Sequence, residues 1–385
     1  MTSTQTPAEQ PDRPSSVATL ADLTTLRVGG PFGRYVETSD EAELIEVVRS
    51  ADAAGEPVLV LGGGSNVLVG DVGFDGVVVR DVRTGVTTPD HSACAGVTVT
   101  VPAGTPWDDV VTHAVSNGLV GVEALAGIPG STGATPVQNV GAYGQDVAQS
   151  IASVRVWDRS RGGVRTLALT ELGFGYRTSV LKRSMAPSTD DPHAPWSPTP
   201  RYVVLDVTLQ LRVGSLSAPV AYAELASALD VAVGERAPSA DVRTAVLALR
   251  ARKGMVLDPT DPDTASAGSF FTNPVLTAAA AERLPVDAPR HAAGPGLVKS
   301  SAAWLIQHAG FDRGYGLPGP AALSTKHVLA LTNRGGATAA DLLALARTIS
   351  DGVEAAYGLT LIPEPVLINA RLTPPTPPSP PSTAK

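Results

Sequence analysis

The chain has 385 residues, a length that favours two or three domains. Its 43% hydrophobic and 17% charged residues, with a formal net charge of -8, are typical of a globular and mildly acidic protein. No cluster of Lys and Arg is present to neutralise a phosphate backbone, so a nucleic-acid partner is not expected. The single cysteine, Cys94, has no disulfide partner and the six histidines show no metal-ligand spacing, so a metal site is not expected either.

The chain carries several segments that are not expected to form a core. The N-terminus has no apolar run of the signal-peptide kind, and no segment approaches the roughly 18 apolar residues of a membrane span, which predicts a cytoplasmic protein with no membrane span. Residues 1–20 and 373–385 are rich in Pro, Ser and Thr and are expected to be disordered tails. Residues 184–200 contain five prolines and are interpreted as a surface insertion.

Valine-rich runs and runs with helical periodicity alternate along the chain. In chain order they predict a helix at 41–54, strands at 58–61, 77–79 and 97–101, a helix at 105–118, strands at 154–157 and 203–211, and helices at 239–253 and 338–358. Asp40 and Gly55 are cap residues for the first helix, and Asp341 occupies the third position of the last. The pattern predicts an α+β fold with two or three lobes.

A glycine cluster, Gly62-Gly63-Gly64-Ser65-Asn66, lies between two apolar runs. Consecutive glycines allow main-chain N–H groups to converge in a nest that binds phosphate oxygens without a cationic side chain, which suits a pyrophosphate. The cluster is not followed by the helix of a G-x-G-x-x-G dinucleotide turn, and no Walker A lysine is present. A glycine-rich hairpin that only turns the chain is the alternative.

Residues 118–144 form a second glycine-rich segment, with seven glycines, one carboxylate and no cation. This composition disfavours a helix, a strand and a disordered linker alike, so it predicts an ordered and partly buried loop. Its main chain and the side chains of Ser131, Thr132, Gln138 and Asn139 offer donors and acceptors to a flat polar ligand, such as a flavin isoalloxazine with its ribityl chain.

Five motifs follow one another along the chain: GGGSN at 62–66, GIPGSTGATPVQNVGAYG at 127–144, FGYRTSVLK at 174–182, AGSFFTNP at 267–274 and PEP at 363–365. In this order, from about Leu23 to Ile368, they resemble the bacterial UDP-N-acetylenolpyruvoylglucosamine reductases of peptidoglycan synthesis. The resemblance implies an oxidoreductase with non-covalent FAD and NADPH as co-substrate, which reduces UDP-N-acetylglucosamine enolpyruvate to UDP-N-acetylmuramate. A different flavin oxidoreductase on the same fold is the alternative, and a non-catalytic nucleotide-binding protein is a third possibility.

The resemblance also implies a domain organisation. A vanillyl-alcohol-oxidase-like (PCMH-type) FAD-binding fold would occupy residues 21–255, in lobes of about 21–90 and 91–255. A smaller α/β substrate-binding domain would follow at 256–357, and a return segment at 358–372 would carry Glu364. The expected oligomeric state is a monomer.

Three catalytic residues are implied by the resemblance: Arg177, Ser269 and Glu364. Hydride addition to a vinyl ether that bears a carboxylate places charge on that carboxylate, so the site needs fixed donors, and the forked guanidinium of Arg177 matches this need. Ser269 would protonate the adjacent carbon, although a turn hydroxyl is the alternative for this weakly acidic group. Glu364 would polarise the intermediate if protonated or position its neighbours, and the sequence leaves its protonation state open.

The remaining site residues implied by the resemblance bind the cofactor and the substrate. Those for the cofactor lie in the two glycine-rich segments: Gly62, Gly63, Gly64, Ser65, Asn66, Gly127, Ile128, Pro129, Gly130, Ser131, Thr132, Gln138, Asn139, Gly141, Ala142, Tyr143 and Gly144. Tyr222 places the chain in the tyrosine-bearing subclass and would contact the substrate diphosphate, and Tyr176, Lys253 and Asn273 would also bind substrate. The alternatives are a helix-start aromatic for Tyr222 and a cation that complements the helix dipole for Lys253, with Arg250 interpreted as solvated.

Overall fold

The structure is a computed structural model of the chain, and it describes residues 17–92, 96–186 and 196–372. None of the helices in these three ranges is both long and apolar enough to cross a membrane. Most of the two predicted tails, together with Cys94, lies outside the described residues. Leu20, at the end of the predicted N-terminal tail, is described and fully buried, so the ordered chain begins before residue 21.

The first lobe is a parallel sheet covered by one helix. Its elements are β1 (Phe32–Thr38), α1 (Glu41–Ala54), β2 (Val58–Val60), β3 (Val67–Val69) and β4 (Phe74–Asp81). The strands β1, β4 and β2 pair in parallel in that order. The Asp40 side chain accepts two N–H groups at the start of α1, and Gly55 ends the helix at a φ of +67°, as the sequence predicts. Leu44 and Val48 of α1 are fully buried and join a core with the buried Val77 of β4.

The second lobe is a six-stranded antiparallel sheet with helices packed on it. Its elements are β5 (Thr87–Ser92), β6 (Gly96–Pro102), α2 (Trp107–Ser116), β7 (Leu119–Val120), α3 (Thr135–Gln138), β8 (Gly141–Ala142), β9 (Gln145–Asp146), β10 (Ile151–Asp158), β11 (Gly163–Ala168), α4 (Leu169–Leu172), α5 (Val180–Arg183), β12 (Tyr202–Val213), α6 (Ala223–Leu229) and α7 (Ser239–Arg252). The strand order is β11-β10-β12-β6-β5, and β7 pairs with β12. Alternate residues of β6 are buried and pack with Val110 of α2 and Val246 of α7 in one core.

The third part packs short strands against a long helix. Its elements are β13 (Val275–Thr277), α8 (Ala278–Glu282), β14 (His291–Ala292), β15 (Leu297–Lys299), α9 (Ala302–His308), β16 (Ala321–Leu323), β17 (Leu331–Asn333) and α10 (Ala339–Tyr357). Thr338 and Asp341 form a capping box at the start of α10, and Gly358 ends the helix at a φ of +65°. The buried face of α10 forms a core with β16 and β17, which also takes in Leu26 and Leu68 from the first lobe. This shared core holds the third part against the first lobe.

The chain then returns to the first lobe through β18 (Val366–Ile368), which pairs in parallel with β3. The amide of Val366 donates to the carbonyl of Asn66 across 3.0 Å. The residues just before β18, including Glu364, therefore lie beside the triple-glycine loop.

Candidate active site

A cavity of about 330 Å³ lies where the two lobes and the third part meet. Fourteen predicted site residues line it: Gly62, Gly63, Gly64, Ser65, Asn66, Ile128, Pro129, Gly130, Ser131, Gln138, Gly141, Arg177, Ser269 and Glu364. The three predicted catalytic residues therefore share one cavity with both glycine-rich segments, although they come from distant parts of the chain.

The glycines of the first loop are required by close main-chain contacts. A Cβ on Gly63 would lie 2.6 Å from the Cα of Gly130, and a Cβ on Gly64 would lie 1.9 Å from the carbonyl oxygen of Leu23. Gly64 also has a φ of +61°, which favours glycine. The Ser65 hydroxyl donates to the carbonyl of Pro129 at 2.8 Å and ties the two loops together. The two glycine-rich segments thus form one wall of the cavity.

The main chain of this wall carries unused donors. Counting every described residue as a possible partner, the amide N–H groups of Gly62, Gly63, Gly64, Ser65 and Asn66 donate no hydrogen bond to the protein. Partly buried amide N–H groups without partners are rare, because leaving such a group unpaired costs about the free energy of a lost hydrogen bond. Five such groups in succession fit a ligand with several anionic oxygens, as the pyrophosphate of FAD has.

The side chain of Arg177 is held in place by carbonyl groups of the protein. Its Nη2 donates to the carbonyl of Gly141 at 2.6 Å and its Nη1 to the carbonyl of Asn139 at 3.3 Å. Its Nε lies 3.1 Å from Oε1 of Glu364, an ion-pair distance at which the N–H is not aligned for a hydrogen bond. The main chain of Arg177 has a φ of +53°, a strained conformation for a residue with a side chain.

Asn139 supports this arrangement from behind. Its Nδ2 donates to the carbonyl of Gly175 at 2.9 Å and its Oδ1 accepts from the amide of Ala148 at 3.3 Å. Both ends of the amide are therefore used within the protein, and Asn139 does not line the cavity. Its side chain holds the loop that carries Arg177.

Ser269 and Glu364 are brought together by backbone pairing. The amide of Glu364 donates to the carbonyl of Phe270 at 2.8 Å, and Phe271 and Pro363 form an isolated β-bridge. Phe270 and Phe271 are each only 1% exposed and anchor the segment in the core of the third part. Ser269 lines the cavity, and its hydroxyl makes no hydrogen bond to any residue in the described ranges. Its proton is therefore free to point at a ligand.

Gln138 and Lys182 extend the site behind Glu364. The Nε2 of Gln138 donates to Oε1 of Glu364 at 3.2 Å, and Nζ of Lys182 donates to Oε1 of Gln138 at 2.7 Å. Burial lowers the pKa of the Lys182 ammonium, while the nearby charge of Glu364 opposes that shift. The sequence predicts Gln138 as a cofactor-binding residue but does not single out Lys182, although this lysine ends the FGYRTSVLK motif.

Arg250 corrects one interpretation of the sequence. It is not solvated: it lines the cavity, and its Nη2 donates to the carbonyl of Met255 at 2.8 Å. Its Nε is buried and finds no hydrogen-bond partner in the part of the chain that the structure describes. Burial lowers the pKa of Arg250 to about 10, so the group stays cationic at neutral pH. The sequence could have indicated this burial, because Arg250 follows the buried Val246 by four residues and that spacing places both on one face of α7.

The predicted surface insertion also reaches the site. Met185, Pro198, Thr199 and Pro200 line the cavity, and Thr199 is only 1% exposed. The Thr199 hydroxyl accepts from the amide of Val60 at 2.8 Å. The ends of this segment therefore form part of the cavity wall, whereas residues 187–195, including His193, lie outside the described residues.

The four predicted substrate-binding residues form two groups: Tyr176 with Asn273, and Tyr222 with Lys253. None of the four lines the cavity itself. The Tyr176 hydroxyl accepts from the amide of Asn273 at 3.2 Å, and the side-chain oxygen of Asn273 accepts from the amide of Ala302 at 2.9 Å. The ring of Tyr222, 47% exposed, meets the ring of Tyr143 edge to face, with 5.5 Å between centroids.

Lys253 belongs to the second group, next to Tyr143. Its Nζ pairs with Glu224 at 2.5 Å and lies 5.7 Å from the centroid of the Tyr143 ring. Burial raises the pKa of Tyr143 to about 12, so its hydroxyl remains protonated at neutral pH.

Six predicted cofactor residues do not line the cavity, and their contact with the cofactor stays a prediction: Gly127, Thr132, Asn139, Ala142, Tyr143 and Gly144.

Comparisons with known proteins agree with this arrangement over almost the whole chain. The UDP-N-acetylenolpyruvoylglucosamine reductase of Cutibacterium acnes is 52% identical over 355 residues, which cover 92% of this chain and 90% of that protein. The reductase of the same name from Nocardia farcinica is 53% identical over 363 residues, covering 92% and 89% respectively. The crystal structure of UDP-N-acetylenolpyruvylglucosamine reductase from Thermus caldophilus superposes with a TM-score of 0.59 at 27% identity, covering 91% of this chain and 97% of that one.

Two family models divide the chain between them. Residues 33–168 match the FAD binding domain family, and with the relatives named above this match identifies an FAD-dependent oxidoreductase. Residues 258–368 match the family described as UDP-N-acetylenolpyruvoylglucosamine reductase, C-terminal domain. The chain belongs to the UDP-N-acetylenolpyruvoylglucosamine reductase family.

Proposed function

We propose that this enzyme uses NADPH to reduce UDP-N-acetylglucosamine enolpyruvate to UDP-N-acetylmuramate, with Arg177, Ser269 and Glu364 as its catalytic residues. The observation that carries the proposal is the meeting of these three side chains in one cavity beside the five unpaired amides of residues 62–66. FAD, when bound, supplies the hydride carrier that connects NADPH to the sugar nucleotide. The amides of residues 62–66 would hold its pyrophosphate, and Gly130, Ser131 and the cationic Arg250 would lie along the rest of the cofactor.

Arg177 binds the substrate carboxylate. A guanidinium has five N–H donors, and two of them are taken by the carbonyls of Asn139 and Gly141. The Nε faces Glu364, which leaves one N–H on each terminal nitrogen. These two donors, already fixed in direction, stabilise the charge that develops on the carboxylate during hydride addition without reorganising at that moment.

Ser269 supplies the proton to the neighbouring carbon. Ser269 lines the cavity and its hydroxyl has no hydrogen-bond partner in the described ranges, so it can turn toward the substrate. A serine is a weak acid, and its transfer of a proton needs nearby positive charge and hydrogen bonds that stabilise the alkoxide. Arg177 lines the same cavity and provides the charge. Glu364 shares the ion pair with Arg177 and positions it.

The two groups outside the cavity complete the proposal for substrate binding. Tyr176 precedes Arg177 in the chain, and its hydroxyl accepts from the amide of Asn273. The exposed Tyr222, with Lys253 nearby, would form the site for the diphosphate in a tyrosine-bearing enzyme. The proposal includes the division into an FAD-binding part to residue 255, a substrate-binding part at 256–357 and a return segment to residue 372. The enzyme is also proposed to be monomeric and cytoplasmic.

An anaerobic stopped-flow experiment on the holoenzyme tests the function. NADPH is expected to bleach the flavin absorbance, and UDP-N-acetylglucosamine enolpyruvate is then expected to restore it, with UDP-N-acetylmuramate found in the quenched mixture. UDP-N-acetylglucosamine, which lacks the enolpyruvyl group, is the matched control and is expected to leave the flavin reduced. Reduced flavin that the enolpyruvyl compound does not reoxidise, but that oxygen rapidly does, would indicate a different oxidoreductase.

A further inference from the structure

Lys182 lies behind Glu364, separated from it by one side chain. Its Nζ donates to Oε1 of Gln138 at 2.7 Å, and the Nε2 of Gln138 donates to Oε1 of Glu364 at 3.2 Å. Lys182 is partly buried, sits in the short helix α5 and is not among the residues that line the cavity. It therefore reaches the reacting groups only through Gln138.

The chemistry of these groups allows a single arrangement of donors. An ammonium has donors only, so the atom of Gln138 that faces Lys182 must be the carbonyl oxygen. The NH₂ group of Gln138 must then face Glu364, and it is a donor as well. The orientation of this amide follows from its partners rather than from an assignment of oxygen and nitrogen positions.

The consequence falls on Glu364. Its Oε1 accepts from Gln138 and also lies 3.1 Å from the Nε of Arg177, another group that can only donate. Oε1 therefore acts as an acceptor: it takes the N–H of Gln138 and lies beside the guanidinium charge of Arg177, whose Nε–H is not aligned for a hydrogen bond.

We propose that Lys182 is a positioning residue for substrate reduction: it fixes the amide of Gln138 so that Oε1 of Glu364 is held as an acceptor beside the guanidinium of Arg177. The proposal rests on the proposed function, because it concerns the role of Glu364 in that reaction. Without Lys182 the Gln138 amide is free to turn, and its oxygen can face Glu364. The Glu364 carboxylate would then face a carbonyl oxygen in place of a donor, which weakens its hold on the guanidinium of Arg177.

The Lys182→Met variant tests this in the anaerobic half-reactions. Reoxidation of the reduced flavin by the enolpyruvyl sugar nucleotide is expected to slow by roughly 10- to 100-fold, the range for losing one hydrogen bond in a chain that ends on a charged group. The KM for that substrate and the rate of flavin reduction by NADPH are expected to stay unchanged, because Lys182 does not line the cavity.

Arg183→Met is the matched control. Arg183 is the next residue, is exposed, and donates to the carbonyl of Gly173 at 3.0 Å, so this variant removes a neighbouring cation outside the chain of donors. Wild-type half-reactions are expected for it. Lys182→Arg, which keeps an obligate donor, is expected to recover part of the rate, and Lys182→Gln serves as a second neutral variant if Lys182→Met does not retain FAD.

A double variant decides whether the effect passes through Gln138. In a Gln138→Leu background, adding Lys182→Met is expected to slow reoxidation no further, because the intermediary is already gone. Additive slowing in the double variant, or an unchanged reoxidation rate in Lys182→Met, overturns the inference. The wild-type enzyme is measured alongside the variants. If the sugar nucleotide does not reoxidise the wild-type flavin, the proposed function is refuted, rather than the role of Lys182.

Discussion

Replacing Gly63 by alanine tests the contact that holds the two glycine-rich loops together. The new Cβ would lie 2.6 Å from the Cα of Gly130, whereas ordinary contacts begin at 3.4 Å, so the loops must part by at least 0.8 Å (3.4 − 2.6). Overpacking of this kind costs about 1–3 kcal/mol. The apoprotein relieves the strain by separating the loops, and FAD binding must close them again to align the amides. The dissociation constant for FAD is therefore expected to rise roughly 5- to 150-fold, since 1.4 kcal/mol corresponds to about tenfold.

The assay is titration of apoprotein with FAD, followed by flavin fluorescence, with thermal unfolding of the apoprotein measured in parallel. Gly163→Ala is the matched control, because a Cβ at that position in β11 meets no atom within 4 Å. It is expected to bind FAD as the wild type does, and neither variant is expected to lower the melting temperature of the apoprotein by more than a few degrees. FAD affinity in Gly63→Ala within about a factor of two of the wild type would refute the reasoning about the loops.

Three further variants test the rest of the site and the fold. Ser269→Ala is expected to keep flavin reduction by NADPH and to slow reoxidation by the sugar nucleotide roughly 10²- to 10⁴-fold in stopped flow; equal slowing of both half-reactions would contradict the proton-donor role. Arg177→Lys is expected to slow reoxidation at least tenfold or so, because an ammonium cannot bond two carbonyls and present a fork to the substrate, and near-full activity would remove Arg177 from the centre of the reaction. Burial alone would raise the pKa of Asp158, but the guanidinium groups of Arg201 and Arg165 hold that pKa below its ordinary value. The ionised Asp158 therefore contributes its full stability above about pH 4. This contribution is lost as the pH falls through the lowered pKa. Asp158→Asn is therefore expected to lower the free energy of unfolding in urea by about 3 kcal/mol at pH 7 and by progressively less as the pH falls below about 4. A loss that does not change with pH would contradict the ion-pair account.

The long elements of the fold follow from local patterns. The predicted strands fall within β2, β4, β6, β10 and β12, allowing for one residue at the end of β2, and the four predicted helices correspond to α1, α2, α7 and α10. Each of these elements carries a signal within its own residues: valine-rich runs in the strands, and Asp40, Gly55, Thr338 and Gly358 as helix caps. Such signals need no knowledge of distant parts of the chain.

The short elements of the third part carry no comparable signal. The strands β16 and β17 have three residues each, too few to show a period of two, and their Ala and Leu residues are equally common in helices. They are strands because they pair with each other and bury a face against α10. Tertiary contacts decide their conformation, and those contacts are invisible in a local window.

In the candidate site, too, some residues carry a local sequence signal and others do not. The glycine cluster predicts a nest of main-chain donors, and those amides have no hydrogen-bond partner in the described part of the protein. The role of Lys182 could not be predicted, because its partner Gln138 lies 44 positions earlier in the chain. Arg250 is intermediate: the helical period places it on the buried face of α7, but a basic cluster at a helix end equally suits a solvated surface.

The position of Glu364 depends on pairing from both sides of the residue. On its N-terminal side Pro363 bridges to Phe271 of the third part, and on its C-terminal side Val366 pairs with Val67 of the first lobe. Because side chains alternate along an extended segment, a shift of one residue in either pairing would turn the carboxylate away from Arg177. The carboxylate is therefore set by the docking of the third part on the first lobe, which their shared core enforces. It follows that the Arg177–Glu364 pair requires the chain from the first lobe to β18, and a fragment that ends before residue 358 would contain the glycine loops but not Glu364.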